Sequence, residues 1–330
     1  MSKKGVIARP LGAQELAAWD DLARCNGGVF NSVRWSGIFG PALQRIGIFD
    51  AGGGLLGGFC IYEQRKFGLR IWRNPPYTPQ IGPFFVAKAT NPAARTDEQR
   101  AVVEAMAEYL AAAPAALVSL GLPLIRDFPD ALPFFWRGFK VVPHYTYLLD
   151  LSVPLEQIRK NMAADRRNDI SKAGRDGLEI RPATDLAPVR ELVLATFDRQ
   201  DKFLDSACLE NILTRFATPD NSYGYLAFRG EQPIAACFVI HDAQTAYYLL
   251  GGYRASDRHH GAGAMAVFEA IHHAQELGLK TFDFEGSVIP PIERYFRGFG
   301  GQLTPRFTVH KAWVPLELAL HLNPRLRNRF

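Results

Sequence analysis

Apolar positions recur along the first half of the chain at two spacings. Between Gly12 and Arg24, Leu16, Trp19, Leu22 and Ala23 keep a helical spacing, and Asn31–Leu43 reads as a second helix. Runs rich in branched and aromatic residues follow at Arg45–Phe49, Leu55–Tyr62 and Leu69–Trp72 and predict strands. The turn between the first two is Asp50-Ala51-Gly52-Gly53-Gly54; no helix comes after it, so it reads as a hairpin rather than a phosphate cradle. Prolines exclude a regular element from Asn74 to Pro83, which is expected to be a rigid loop carrying Tyr77 and Gln80. Thr96 is placed to cap a helix over Asp97–Ala112, with a strand at Ala115–Leu120 and an extended run at Gly138–Leu151.

The second half predicts a charged helix from Pro154 to Lys172, broken by Gly177, then a strand at Leu178–Arg181 and helices at Asp185–Arg199 and Ser206–Ala217. Strands at Tyr223–Arg229, Pro233–His241 and Thr245–Tyr253 come next, joined by short turns. A helix at Ala262–Leu277, a strand at Lys280–Phe284, a short helix at Pro290–Phe296 and a strand at Gln302–Lys311 close the unit. An antiparallel meander running into a strand–helix–strand crossover requires a parallel, right-handed connection. The first half shows a looser version of the same order, which points to a duplicated α/β unit with its break near residues 145–153.

Composition adds little to that picture. The chain has 330 residues, 48% of them hydrophobic and 22% charged, as in ordinary globular proteins, and its length suits two domains. No apolar run is long enough to span a bilayer, and the mixed, charged start shows no signal peptide, so the expected location is cytoplasmic. The four cysteines (Cys25, Cys60, Cys208, Cys237) lie far apart without metal-ligand spacing and read as reduced thiols. The adjacent pairs His259-His260 and His272-His273 point to different helix faces, so no metal site is expected. A net charge of +5 leans toward anionic partners without indicating a DNA-binding protein. Arg325, Arg327 and Arg329 come after the apolar stretch Val314–Leu322, as a solvated tail or as a weak contact with the inner face of a membrane.

Chemistry concentrates where the strand Thr245–Tyr253 gives way to the helix starting at Ala262. The intervening Arg258-His259-His260-Gly261-Ala262-Gly263-Ala264 has small residues that let a ligand approach the backbone, next to helix-start amides without intrahelical acceptors. A pyrophosphate fits such a position, with Arg258 as its charge partner and Gly261, Ala262, Gly263 and Ala264 lining it. The third glycine of a dinucleotide fingerprint is absent, as is a Gly-x-Ser-x-Gly elbow.

That Arg-x-x-Gly-x-Gly segment resembles the pyrophosphate loop of the GNAT acyltransferase superfamily, and the duplicated unit resembles its tandem, Fem-like branch, the relatives of peptidoglycan-bridge aminoacyltransferases. Arg167, Ile170, Lys172 and Ala173 resemble the branch's Arg-x-x-Ile-x-Lys-Ala helix. Asp283-Phe284-Glu285-Gly286-Ser287 resembles its Asp-Phe-x-Gly-Ser segment, and Thr196 with Arg199 its Thr-x-x-Arg phosphate contact. The family's Phe-Lys pair appears here as Phe296-Arg297, and its first-domain lysine has no match near Trp35. The resemblance implies an α/β fold with a mixed α+β sheet, built as two tandem GNAT-like domains packed side by side. These would be an acceptor-side domain with a degenerate donor loop at 1–148, a donor-binding domain at 149–313 and a basic tail at 314–330.

Candidate catalytic groups lie further along the same half. Asp283 and Glu285 alternate on a strand, where burial suits one of them to be a general base; pairing with a buried arginine and capping of the next turn are the alternatives. Arg297 is the candidate for steadying carbonyl charge and Tyr248 for protonating a departing thiolate. Arg199, Phe296, Tyr77, Gln80 and Ser287 are expected around the acceptor, in a cleft between domains. The expected activity is transfer of an acyl group from acyl-CoA, such as acetyl-CoA, used as a co-substrate with no tightly bound cofactor. The acceptor is an amine on a small molecule, peptide or glycan of the cell-envelope type, attacked directly. Two alternatives stay open: a Fem-type transferase taking its aminoacyl group from transfer RNA to a peptidoglycan precursor, and a non-catalytic binder of a phosphorylated glycan or lipid head group.

Overall fold

The structure, a computed structural model, describes residues 5–199 and 205–322, without the side chains of Asp198 and Arg199. It divides into two compact units, Met1–His144 with Pro305–Phe330, and Tyr145–Thr304.

The first unit contains β1 (Ile7–Pro10), α1 (Leu16–Asn26), α2 (Val33–Gly37), β2 (Leu43–Phe49), β3 (Leu55–Lys66), β4 (Leu69–Arg73), β5 (Phe84–Phe85), α3 (Pro92–Ala111), β6 (Leu117–Leu124) and α4 (Leu132–Trp136). Strands β1 to β4 pair antiparallel in succession, and α3 carries the chain across to β6, which runs parallel to β4. At the β2–β3 hairpin the Asp50 carboxylate accepts the Gly52 and Gly54 amides at 3.0 and 2.9 Å, and Gly53 takes φ 81°. Trp19 of α1 and Val103 and Met106 of α3 share one core with Phe59, Ile61 and Leu120 of the sheet.

Two local expectations change here. The stretch expected as one helix over Asn31–Leu43 is a series of short turns, interrupted at Gly37 and at Gly40-Pro41, where Gly40 has φ 59°. Helix α3 starts earlier than Asp97: Asn91 accepts the Ala93 and Ala94 amides at 2.9 and 3.2 Å and Pro92 occupies the first turn, while Thr96 bonds back to Pro92 O from inside the helix.

Past Arg73 and Ser119 the β4–β6 ladder stops, and the proline-rich loop fills the space. Cys60 N–H donates to Ile81 O at 2.9 Å, Ile81 N–H to Gly121 O at 3.4 Å, and Gly121 N–H to Asn74 Oδ1 at 2.9 Å. A Cβ on Gly121 would stand 2.2 Å from Pro79 O, so glycine is what admits the loop.

The remaining elements are β7 (Lys140–Asp150), α5 (Leu155–Asn161), α6 (Ala164–Arg175), β8 (Glu179–Pro182), α7 (Ala187–Arg199), α8 (Ser206–Asn211), β9 (Ser222–Arg229), β10 (Gln232–His241), β11 (Thr245–Tyr253), α9 (Ala262–Glu276), β12 (Thr281–Asp283), α10 (Pro290–Arg297), β13 (Gln302–Ala312) and α11 (Val314–Leu322). Within the second unit the sheet order is β7-β12-β11-β10-β9-β8. As the meander predicts, β9, β10 and β11 pair antiparallel, and α9 then leads to β12, which is parallel to β11. Ile158, Ile170, Val267, Ile271, Phe282 and Phe299 form its core. Strand β13 pairs with β6, so its residues from Pro305 onward group with the first unit, and the second compact unit is Tyr145–Thr304, beside the 149–313 that the resemblance implied.

The helix expected from Pro154 to Lys172 is two helices. Met162 and Ala163 are extended, with ψ 151° and 147°; Ala163 N–H donates to Gly298 O at 2.9 Å, and the Arg167 guanidinium donates to the carbonyls of Lys160 and Met162. Arg167 therefore holds a helix joint.

Candidate active site

The opening in the second unit lies between its two parallel strands. β11 and β12 pair only over Thr245–Tyr247 and Thr281–Asp283, and β11 continues to Tyr253 after β12 has ended. On its other edge β11 has a bulge: Phe238 faces Leu250 and Val239 faces Tyr248, which leaves Leu249 as the extra residue. Gly251 and Gly252 allow close packing on both sides. A Cβ on Gly251 would stand 1.7 Å from the Tyr248 hydroxyl, and one on Gly252 would meet the α7 backbone at Leu192. Thr196 of α7 fixes that end of the strand by accepting the Tyr253 amide at 2.9 Å, which accounts for its place in the Thr-x-x-Arg pattern.

At the end of this strand the chain enters α9, and the residues expected to hold a pyrophosphate play different parts. Gly261 is a packing residue: its amide donates to His259 Nδ1 at 3.1 Å, and a Cβ would stand 2.0 Å from Asp169 O of α6. His259 in turn bonds through Nε2 to Asp176 at 2.9 Å, an arrangement that requires the Nε2–H tautomer. Lys172 also bonds Asp176, and the hydrogen bonds from Lys172 and His259 hold that carboxyl down at about 2. The Ala262 amide donates to His259 O. The amides of Gly263 and Ala264 have no acceptor among the described residues; Ala264 is buried, and half-exposed Gly263 is the point where the helix start meets the exterior. A Cβ on Gly263 would lie 3.4 Å from the Tyr295 hydroxyl. Arg258 is exposed, its guanidinium 5.8 Å from the Tyr253 ring centroid.

The two carboxylates do not sit on one strand face. β12 ends at Asp283, and Glu285 turns out of the strand at φ 59°, followed by Gly286 at φ 69° with its Cα against Tyr145 O. Buried Asp283 accepts the Thr146 hydroxyl and, at 2.8 Å, the Glu285 amide, so its carboxylate shapes this turn. Half-buried Glu285 is thus held just past the end of β12. Both carboxylates, after burial and Asp242, push the Tyr247 hydroxyl well above its usual range.

Arg297 projects from α10 into solvent, paired with Glu293 one turn earlier at 2.9 Å, and Tyr147 donates to the same Glu293 oxygen at 2.5 Å. Ser287 accepts the Ile289 amide at 3.1 Å ahead of α10. Phe296 is a core residue, against Tyr248, Phe284 and Tyr295. Tyr248 remains half-exposed; burial of its ring environment, with Tyr295 and Cys237 nearby, pushes its hydroxyl well above the usual range, so it is protonated at neutral pH. Burial likewise raises the Tyr295 hydroxyl.

Sequence reasoning missed Tyr295 and Arg166. The Arg166 guanidinium lies 4.3 Å over the Tyr295 ring and donates to Asp169 at 3.1 Å, the residue whose carbonyl packs on Gly261. Tyr295 directly precedes the Phe296-Arg297 pair that the sequence singles out, which was the signal for it; the doublet Arg166-Arg167 does not itself say which arginine reaches Tyr295. Tyr77 and Gln80 lie in the first unit, on the loop that fills its strand gap. The Arg199 side chain and Arg325, Arg327 and Arg329 fall outside the described residues. Buried Cys60 and Cys208 have thiols pushed up to about 12, and burial raises Cys237 as well, so none supplies a thiolate.

The second unit is thus an antiparallel meander running into a parallel strand pair that parts over a helix start. Residues 159–297 match the family described as acetyltransferase (GNAT) domain, and over nearly its whole length the chain shares its fold with solved structures. It is similar to FemX, with TM-score 0.67 and 14% identity over 95% of this chain and 99% of that one. A tandem GNAT protein from the clavulanic acid biosynthesis pathway gives TM-score 0.50 and 13% identity over 93% and 98%. The C-terminal domain of a putative lysylphosphatidylglycerol synthetase from Agrobacterium fabrum gives 0.55 and 13% over 93% and 95%. No curated protein matches the sequence.

Proposed function

We propose that this chain is an N-acyltransferase that moves an acyl group from an acyl-CoA-type thioester to an amine on a glycan- or cell-envelope-type acceptor. The observation that carries the reading is the parting of β11 from β12 above a helix start that keeps two amides without protein acceptors. An extended thioester arm can add to the free edge of β11 beyond Tyr247, with its diphosphate at Gly263 and Arg258. The amine attacks the thioester carbonyl, a C–N bond forms, the C–S bond breaks, the amine gives up a proton and the thiolate takes one. Protonated Tyr248, whose hydroxyl has no hydrogen-bond partner among the described residues, is the donor to the thiolate. Glu285, held just past β12, is the acceptor of the amine proton. The unpaired backbone at the Leu249 bulge is suited to the carbonyl oxygen. Arg297 takes no part, because its guanidinium is engaged by Glu293 at the surface. Direct attack is favoured because the buried thiols are protonated.

The test is calorimetric titration of the full chain with acetyl-CoA and CoA. Saturable heat is expected, and Arg258→Glu should weaken it by at least about tenfold, the loss of one charge-assisted phosphate contact. Silence toward both ligands overturns the acyl-CoA reading; binding of aminoacyl-transfer RNA by the same preparation would then identify the donor.

A further inference from the structure

Two side chains that the proposed chemistry leaves unused meet beside the start of α9. Tyr295 projects from the last turn of α10, and a Cβ on Gly263 would stand 3.4 Å from its hydroxyl. The ring is gripped by Phe296 and Phe299, with centroids 5.8 and 5.4 Å away, and by the Arg166 guanidinium 4.3 Å over it. Among the described residues the hydroxyl itself has no hydrogen-bond partner, and the Gly263 and Ala264 amides have no acceptor. Burial raises the hydroxyl, so it keeps its proton at neutral pH. Packing alone asks only for a phenylalanine here; the hydroxyl adds a donor.

Arg166 is the less expected partner. Its side chain is only 12% exposed, and it donates to Asp169 at 3.1 Å. Its buried Nε faces Gly298, where a Cβ would stand 3.4 Å away, and has no hydrogen-bond partner among the described residues. Enclosing a cation with donors to spare is costly, and the compensation it finds is the face of the Tyr295 ring. The same stretch of chain ties α10 to α9: Ala163 N–H donates to Gly298 O, and Asp169 O packs on Gly261. Asp169 is also the carboxylate that acts on the Tyr295 hydroxyl, and Arg166 engages it. What remains at Gly263 is a phenol donor and backbone amides backed by a cation, a set that suits an anion.

We propose that the Tyr295 hydroxyl hydrogen-bonds the diphosphate of the acyl donor at Gly263, and that Arg166 is the positioning residue that holds the ring for it. This rests on the acyl-CoA reading of the second unit and adds to it a group that selects diphosphate-bearing donors. It is tested by titrating the full chain and its variants with CoA and with 3′-dephospho-CoA, which keeps the diphosphate, and by melting each protein alongside. Tyr295→Phe should weaken both ligands at least about tenfold with its melting temperature kept. Arg166→Met should weaken them about fivefold, and Arg166→Lys, which keeps a cation over the ring, should recover most of that loss. In the Tyr295→Phe background Arg166→Met should cost no further affinity, because it acts through the hydroxyl. Unchanged binding by Tyr295→Phe, with the parent chain still binding CoA, overturns the proposal and leaves the acyl-CoA reading standing. A loss confined to CoA also overturns it, by moving the hydroxyl to the 3′-phosphate, and losses that add in the double variant overturn the role given to Arg166. Silence of the parent chain toward both ligands overturns the acyl-CoA reading first, and the proposal with it.

Discussion

Gly261 and Gly263 stand two positions apart and answer to different constraints. Gly261 is glycine because α6 leaves no room: a Cβ would collide with Asp169 O, and Gly261→Ala should destabilise the protein by ~1–3 kcal/mol through overpacking. Gly263 has room, with its nearest neighbour 3.4 Å away, and alanine is the better helix former by roughly 0.5–1 kcal/mol. Gly263→Ala is therefore expected to raise the melting temperature and, because the methyl group stands at the exposed helix start, to lower CoA affinity. Thermal melts and titrations of both variants check the pair; a Gly263→Ala protein that melts lower, or binds CoA unchanged, contradicts this division of roles. The motif itself was legible in the sequence. Which glycine is buried and which faces the exterior was not, since that depends on α6, nearly a hundred residues earlier in the chain.

At the scale of elements, α6 and α9 meet through Lys172, Asp176 and His259. Their partnership lowers the Asp176 carboxyl in the folded protein, so the stability it contributes is fully present above its ordinary value of 3.8 and lost as pH falls toward about 2. Asp176→Asn should flatten the stability profile across that window while leaving its neutral-pH shape alone, which denaturant melts at stepped pH would measure. The elements themselves were largely predictable wherever periodicity was local, as in the meander and the crossover helix. The boundaries that were misplaced depend on distant partners or on competing caps. Met162 and Ala163 carry no breaker, and their extended backbone is set by Gly298 O and the Arg167 clamp. The start of α3 at Asn91-Pro92 carried a sufficient local signal, which Thr96 obscured. Asp283 and Glu285 looked alternate because the strand was expected to continue; the Asp283–Glu285 hydrogen bond ends it.

Over the whole chain the same β–α–β crossover occurs twice, as β4–α3–β6 and β11–α9–β12, each with a short parallel ladder. The copies differ beyond the end of that ladder. In the first, Asn91 occupies the opening amides of α3, and the loop before it bonds between Cys60 and Gly121. In the second, Gly263 and Ala264 keep their amides and the edge of β11 runs on. Titration with CoA should therefore give one site per chain; two equivalent sites would contradict the contrast. Duplication could be read from the order of elements, whereas the closure of one copy could not, because it depends on a carbonyl at Pro79 meeting a glycine at position 121.

The proline-rich stretch in the first copy also has a practical corollary. On the proposed reading, an inhibitor shaped as an extended thioester mimic would find the free edge of β11 in one half of the polypeptide and solid main chain in the other. Trimming residues 75–81 would remove the Ile81 bridge between Cys60 and Gly121, and a drug screen run on such a trimmed protein would score compounds against a gap that the intact chain keeps filled.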